Sequence, residues 1–467
     1  MKIKGAFMVP HPPIIIPEIG KGQEKEIQTT IDGYKRAAKE IVTCSPDTIV
    51  LVSPHSIMYA DYFHISPGKW ANGDLGKFRA PQVAITVDYD EELAAEIGKE
   101  AKEKGIAAGT LGERDPRLDH GSLVPLYFIK EAYGGKIPCK IIRIGLSGFS
   151  FAEHYKLGMV IQKAAERLHR NTVFVASGDM SHRLKEDGPY GFKKEGPEYD
   201  AKLMTWMEKA DFLPLLTADE QFCEIAGECG HRSLCMMAGA LDGYAVNTER
   251  ISYEGPFGVG YGICSFYPEK PDESRHFLKE AEEEKRRKLE ERKANEDAYV
   301  KLARLALETY ITEGKKLKVS EVSINLPDEM IKKQAGTFVS LKKDGSLRGC
   351  IGTIAATKSC IAEEIIDNAI KAAVSDPRFS PVEKDELQSL VYSVDVLGEA
   401  EKISSKDELD VKRYGVIVTK GYRRGLLLPN LDGIDTVEEQ IRIAKQKAGI
   451  EEEETVEMER FEVVRHY

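Results

Sequence analysis

Three segments of this chain end in histidine by the same local route. Thr48-Ile-Val-Leu-Val-Ser-Pro-His55-Ser is an apolar, β-branched run that stops at a proline and then delivers a histidine. Lys2-Ile-Lys-Gly-Ala-Phe-Met-Val-Pro-His11 and Thr172-Val-Phe-Val-Ala-Ser-Gly-Asp179-Met-Ser-His182 repeat the pattern. Two further segments carry residues of catalytic type, Leu118-Asp-His120-Gly-Ser-Leu-Val-Pro-Leu and Glu224-Ile-Ala-Gly-Glu228-Cys229-Gly-His231-Arg. Two histidines and a carboxylate on one face of a metal leave other positions open, the arrangement of non-haem Fe(II) oxygenases. Further histidines beside such a metal can act as acid or base near neutral pH, where their ordinary pKa lies.

Short continuous apolar runs bounded by Gly and Pro read as strands buried on both faces, as in parallel sheets. Ligands of open α/β sheets bind beyond the carboxyl ends of such strands, so the three histidines are expected to converge there. From Met1 to about Tyr267, strand-like runs alternate with helical patterns. Helices are expected over Ile27–Ile41, Glu91–Lys104 and Tyr155–Arg170, and further strands at Val83-Ala-Ile-Thr-Val and Cys139-Lys-Ile-Ile-Arg-Ile. This alternation predicts an α/β domain over residues 1–267 with a largely parallel, helix-flanked sheet. Its last run, Phe257-Gly-Val-Gly-Tyr-Gly-Ile-Cys-Ser-Phe266, is rich in glycines that permit bulges or close backbone approach. The Glu224 segment reads as the opening of a single helix reaching Leu241, with Glu224 and His231 on its surface. His64, His154, His169, His276 and His466 lack a strand-end context and read as structural or solvent-facing.

Residues 268–296 contain a mixed-sign charge run with many i,i+4 pairs and little to bury, which predicts a solvated helical linker. An apolar face returns at Tyr299, Leu302, Leu305, Ala306 and Thr309, opening a second domain over 297–467. There Gly336 to Ile354 reads as a hairpin with a Lys343-Asp-Gly turn, Ser359–Val374 and Thr436–Ala448 as helices, and Leu390–Leu397 as a half-buried strand. Mixed hairpins and helices without strict alternation predict α+β.

Composition narrows the function classes. A chain of 467 residues with net charge −11 has no global positive field to attract nucleic acid or an anionic membrane. Its 42% hydrophobic and 31% charged residues are ordinary for a globular protein. No apolar run approaches a membrane span, and Met-Lys-Ile-Lys leads straight into a strand rather than a signal peptide, so the cytoplasm is the default location. Eight cysteines without CxxC spacing fit reduced, mostly buried side chains rather than a disulfide framework or a structural zinc site.

The Leu-Asp-His-Gly and Ser-Gly-Asp-Met-Ser-His motifs, with the His11 and His55 segments, resemble the LigB-type class III extradiol ring-cleavage dioxygenases, including their Memo-like members. The resemblance implies His11 and His55 as metal ligands and His182 as the base on a metal-bound hydroxyl. It also implies His120 as a pocket histidine near substrate or oxygen, and Asp179 as a residue fixing His182 or a ligand. Ring-cleaving members use glutamate as third ligand, whereas Memo-like members have cysteine. Glu228 and Cys229 both stand at that place, and the expectation falls on Glu228 ahead of Cys229. Carboxylate suits Fe(II), the expected cofactor, while thiolate would favour zinc or copper. The implied substrate is a catechol-like small molecule.

The second domain resembles the AMMECR-type family through Leu347-Arg-Gly-Cys350-Ile-Gly, Ser375-Asp-Pro-Arg378-Phe-Ser-Pro and Tyr422-Arg-Arg-Gly-Leu-Leu-Leu-Pro429. That implies an α+β fold and no particular reaction. A candidate site there comprises Cys350, whose thiol pKa Arg348 would lower, and an anion pocket of Arg348, Arg378 and Arg423. The fusion resembles the AmmeMemoRadiSam arrangement, which implies a radical S-adenosylmethionine protein as partner; a homo-oligomer is a further expectation. The chain lacks CxxxCxxC and so is not itself the radical enzyme. Two other readings stand beside the enzyme: a non-catalytic metal-binding scaffold, and a partner module for another enzyme.

Overall fold

The computed structural model describes residues 1–343, 345–431 and 433–467. The chain forms two compact units, Met1–Lys285 and Arg286–Tyr467.

The first unit is built on a six-stranded sheet. Its order across the sheet is Lys140–Gly145, Thr48–Ser53, Thr172–Ser177, Ile3–Val9, Tyr261–Pro271 and Tyr244–Glu254. The first four strands are mutually parallel, and the last two run antiparallel. Every residue of the Thr48 and Thr172 strands is buried, the pattern of strands covered on both faces. Two apolar cores follow, one on each side of the sheet. One gathers Val50, Ile142, Phe174 and the helix Phe151–Arg167; the other gathers Leu51, Val175 and the helices Gln28–Thr43 and His120–Ala132. The fold is the α/β architecture that the alternation predicts.

Four local features depart from expectation. The Val83 run lies in the strand Ala80–Asp88, but pairs only with Trp70–Leu75 in a separate two-stranded sheet. Its alternating burial marks a ribbon with one solvated face, not a central parallel strand. The Glu224–Leu241 segment is two helices, Glu220–Ala226 and His231–Ala240. The first ends at Gly227 in the left-handed region (φ +69°), a conformation that glycine adopts without a Cβ penalty. His231 is fully buried rather than on a surface, its Nε2 2.8 Å from the Leu215 carbonyl. His64 and His154, expected as structural or solvent-facing, are fully buried, which is no departure. Finally, the charged helix Phe277–Asn295 buries Phe277 and Ala281 in the first unit's core.

The second unit holds two four-stranded antiparallel sheets. One is ordered Ser346–Gly352, Thr337–Lys343, Leu390–Leu397, Val463–His466; the other Glu401–Ile403, Glu457–Phe461, Gly415–Lys420, Arg423–Leu427. The helices Ala298–Glu313 and Ile361–Val374 cover the first sheet, and Val437–Lys447 covers the second, giving α+β. The expected Lys343-Asp344-Gly345 turn falls on Asp344, which lies outside the described residues. No helix among the described residues is long and apolar enough to cross a membrane.

Candidate metal centre

Three adjacent parallel strands end on one edge of the first sheet. Val9 lies opposite Ser177, and Val52 opposite Ala176, so the segments that follow leave the sheet side by side. His11 and His55 emerge there, and their Nε2 atoms stand 3.0 Å apart. His120 arrives from a different direction, as the first residue of the helix His120–Ala132. Asp119 caps that helix through Oδ1, which accepts the Ser122 N–H at 3.0 Å. The His55 and His120 rings stack with centroids 4.0 Å apart. Each of the three imidazoles offers a nitrogen within 4.8 Å of the others.

The protonation pattern of His11 follows from its partners. Ser177 Oγ donates to the Gly121 carbonyl at 2.6 Å, so its lone pair receives the proton of His11 Nδ1 at 2.9 Å. The lone pair of His11 is thereby left on Nε2, facing His55. Burial, and then the neighbouring His55, lower the His11 pKa to about 3. Burial, His55 and His11 in turn lower His120 to about 4, and burial lowers His55. The three rings are therefore neutral at pH 7, the form in which imidazole binds metals.

Cys229 stands beside His11, outside the group of three imidazoles. Its Sγ lies 3.6 Å from His11 Nε2. Ligands of a tetrahedral ion, with bonds of about 2.0–2.1 Å to nitrogen and 2.3 Å to sulfur, sit roughly 3.3–3.6 Å apart. The His11–Cys229 spacing falls within that range and the His11–His55 spacing of 3.0 Å just below it. Cys229 is held by backbone: the Asp179 N–H donates to its sulfur at 3.2 Å, and its own N–H donates to the Asp179 carbonyl at 3.3 Å. The approach is possible because Gly178 meets Gly230 with no side chain between them. A Cβ on Gly178 would lie 2.1 Å from Gly230 Cα.

Glu228 faces elsewhere. Its carboxylate accepts the His231 N–H at 2.5 Å, at the start of the helix His231–Ala240. There it compensates the helix's positive end, while burial pushes its pKa up to about 7. Of the two residues, Glu228 was expected ahead of Cys229, yet it is the Cys229 sulfur that stands beside His11 and the Glu228 carboxylate that turns away. The reason is the break at Gly227, which turns residue 228 onto the second helix and residue 229 onto the histidines.

Asp179 Oδ1 accepts the His11 backbone N–H at 2.8 Å, and burial raises its pKa. It therefore fixes His11 rather than His182. His182 is not one of the three clustered imidazoles. Its Nδ1–H donates to the Gly227 carbonyl, leaving the Nε2 lone pair free to accept a proton. It is close enough that a positive charge on its ring would lower the pKa of His11, His55 and Asp179. Tyr190 lies against its ring, and Phe78 against that of His120.

Sequence reasoning missed Ser53, Asp119, Ser177 and Arg143. Ser53 and Ser177 share the final position of their strands, and Asp119 precedes a helix as a cap does; these were the available signals. Arg143 gave none.

The second unit's candidates are scattered. Arg348 forms a bidentate pair with Glu386 at 2.8 and 3.0 Å, and Arg378 pairs with Asp376 at 2.7 Å. Both line a cleft of about 510 Å³, but Arg423 lies on the other sheet, paired with Glu454 at 2.9 Å. Carboxylates already neutralise the expected anion pocket. Arg348 turns to Glu386 rather than to the Cys350 thiol, and burial pushes that thiol's pKa up instead of down. Cys350 Sγ accepts the Ser340 hydroxyl at 3.2 Å.

A family profile described as the catalytic LigB subunit of aromatic ring-opening dioxygenase matches residues 5–264. The chain belongs to the LigB family. A second profile, AMMECR1, matches residues 300–466, so the LigB domain is fused to an AMMECR1 domain. A Clostridium acetobutylicum protein is 42% identical over 482 aligned positions, covering 100% of this LigB-family chain and 99% of its own length. A Thermotoga maritima protein is 54% identical over 173 positions, 37% of this chain and 98% of its own. Among solved structures, an uncharacterized Pyrococcus horikoshii protein is 34% identical with a TM-score of 0.33, covering 36% of this chain and 88% of its own. An uncharacterized Escherichia coli protein is 16% identical with a TM-score of 0.40, covering 56% of this chain and 99% of its own.

Proposed function

We propose that the LigB domain is a metal-dependent oxidoreductase that holds a divalent cation on His11, His55 and Cys229 and acts on a catechol-like small molecule. The observation that carries this reading is the meeting of neutral imidazoles from separate segments, with the Cys229 sulfur 3.6 Å from His11 Nε2. Fe(II) is the proposed cation. When bound, it would supply Lewis acidity toward a diol's oxygens and a site for redox chemistry. The chain's own residues do the rest. His182, through Nε2, takes a proton from the substrate hydroxyl; His120 borders the pocket beside Phe78; Ser177 keeps His11 in its ligating tautomer, and Asp179 anchors the His11 backbone.

The test is anaerobic purification with metal analysis, followed by oxygen-uptake assays over a panel of catechols. One cation per chain is expected, lost in His55→Ala, together with oxygen uptake on at least one catechol that disappears in His182→Ala. Full metal content in His55→Ala would refute the centre. The thiol in the ligand set favours a second reading, a zinc- or copper(I)-holding scaffold without oxygenase chemistry. It predicts stoichiometric zinc or copper and no oxygen uptake on any catechol.

A further inference from the structure

Among the described residues Arg143 is the largest fully buried side chain, 1% exposed, on a strand whose other buried residues are apolar. A buried guanidinium is tolerated only when its N–H groups are paired. Those partners come largely from one irregular segment, residues 113–119, which delivers His120. Arg143 donates to the Arg117 carbonyl at 2.5 Å, to the Asp115 carbonyl at 3.3 Å, and to Ser66 Oγ at 2.7 Å. It faces Glu113 at 3.5 Å and Asp119 at 3.8 Å.

Asp119 extends the connection in two directions. Its carboxylate caps the helix that begins at His120, and its Oδ1 also accepts the Ser53 hydroxyl at 2.5 Å. Ser53 Oγ in turn accepts the His55 backbone N–H at 3.2 Å. One guanidinium thus braces the segment before His120 and, through Asp119 and Ser53, the turn that presents His55.

We infer that Arg143 is a positioning residue that sets the separation of His55 and His120. This rests on the metal-centre reading for its purpose, but the bracing is a property of the metal-free protein. Lysine would keep the charge and lose the planar fork that reaches two carbonyls and a hydroxyl together.

The test uses the full-length, metal-stripped protein. Hydrogen exchange is followed over residues 110–119 and 53–57, and Co(II) is then titrated with its visible spectrum as readout. Arg143→Lys is expected to raise exchange in both segments by ~10-fold while the helix Phe151–Arg167 and the strand Thr172–Ser177 stay protected. Co(II) binding should weaken about 10- to 100-fold, the usual effect of losing a residue that orients a ligand, with an altered spectrum. Unchanged exchange in both segments would overturn the inference, as would loosening spread evenly through the first unit. Should Arg143→Lys not fold, Ser53→Ala decides. Faster exchange at 53–57 with a changed Co(II) spectrum supports the linkage; no change in either overturns it. If the unaltered protein takes up no Co(II), Fe(II) or zinc, the metal-centre reading fails, and the exchange measurements still decide the role of Arg143.

Discussion

In the first unit, burial pushes Asp200 and Glu228 each up to about 7, and His11 and His120 down to about 3 and 4. In the second unit, Glu386 is held down to about 2 by its hydrogen bonds to Arg348, and Asp376 is lowered by Arg378. Both units contain charged residues in quantity. Around His11 and His120 the first unit strips water from groups without supplying a full counter-charge, which leaves neutral donors facing one another; in the second unit Glu386 and Asp376 each meet an arginine. Unpaired, desolvated groups gathered in one place are the mark of a chemical site, whereas paired ones hold a fold together. That contrast supports the proposal of chemistry in the LigB domain, while Arg348, Arg378 and Arg423 of the AMMECR1 domain are each paired with a carboxylate.

Substitutions sharpen the contrast, beginning with the largest effect. His11→Ala should lower the affinity for a divalent cation more than ~100-fold by calorimetric titration, because a ligand rather than its support is lost. Cys350→Ala should leave that affinity unchanged; equal losses from both would erase the distinction between the units. Next, Cys229→Ser should weaken binding about 10- to 100-fold. Glu228→Gln should leave binding within about threefold and cost roughly 0.5–1 kcal/mol of stability at a helix start. The reverse order would put Glu228 in the centre after all.

The two units should also part company on acidification of the metal-free protein. His11, His120, His154 and His231 have folded pKa values of about 3 to 4, below the ordinary 6.5. Their stabilisation is full above pH 6.5 and is lost as pH falls toward 4. The raised Asp200 and Glu228 act oppositely, favouring the fold below about pH 4.5 and losing that contribution as pH rises through 7, but they are fewer. The second unit's lowered carboxylates keep their contribution down to pH 4 and lose it toward pH 2. Trp70 and Trp206, the chain's two tryptophans, both lie in the first unit. Their fluorescence melt should fall roughly 5–10 °C between pH 7 and 5, while exchange in the helix Ile361–Val374 stays constant. A smaller effect is expected from Arg348→Met, which leaves Glu386 with Lys343 at 3.0 Å and should cost the second unit about 1–2 kcal/mol by chemical denaturation. Arg423→Met, on a pair less buried than Arg348–Glu386, should cost less than Arg348→Met.

The sheet was legible because its central strands are buried on both faces and so appear as unbroken apolar runs. Parallel neighbours then place His11 and His55 on one edge without further information. His120 and Cys229 were harder to place, since each depends on how a loop meets a helix. Gly227 does mark a helix end, yet the helical spacing continues past it into His231–Ala240, and the two helices read as one. Arg143 was illegible for a different reason. A charged residue within a strand looks exposed until the carbonyls of residues 115 and 117, brought in by the fold, account for its burial.

The bare contact of Gly178 with Gly230 has a consequence for redesign. The seat of the sulfur is defined by main chain, so Gly178 cannot accept even a methyl without moving its neighbour, and Gly230 could do so only tightly. The residue occupying that seat carries no such restriction. If the proposed centre holds, exchanging Cys229 alone for aspartate would change the donor offered beside His11 from sulfur to oxygen.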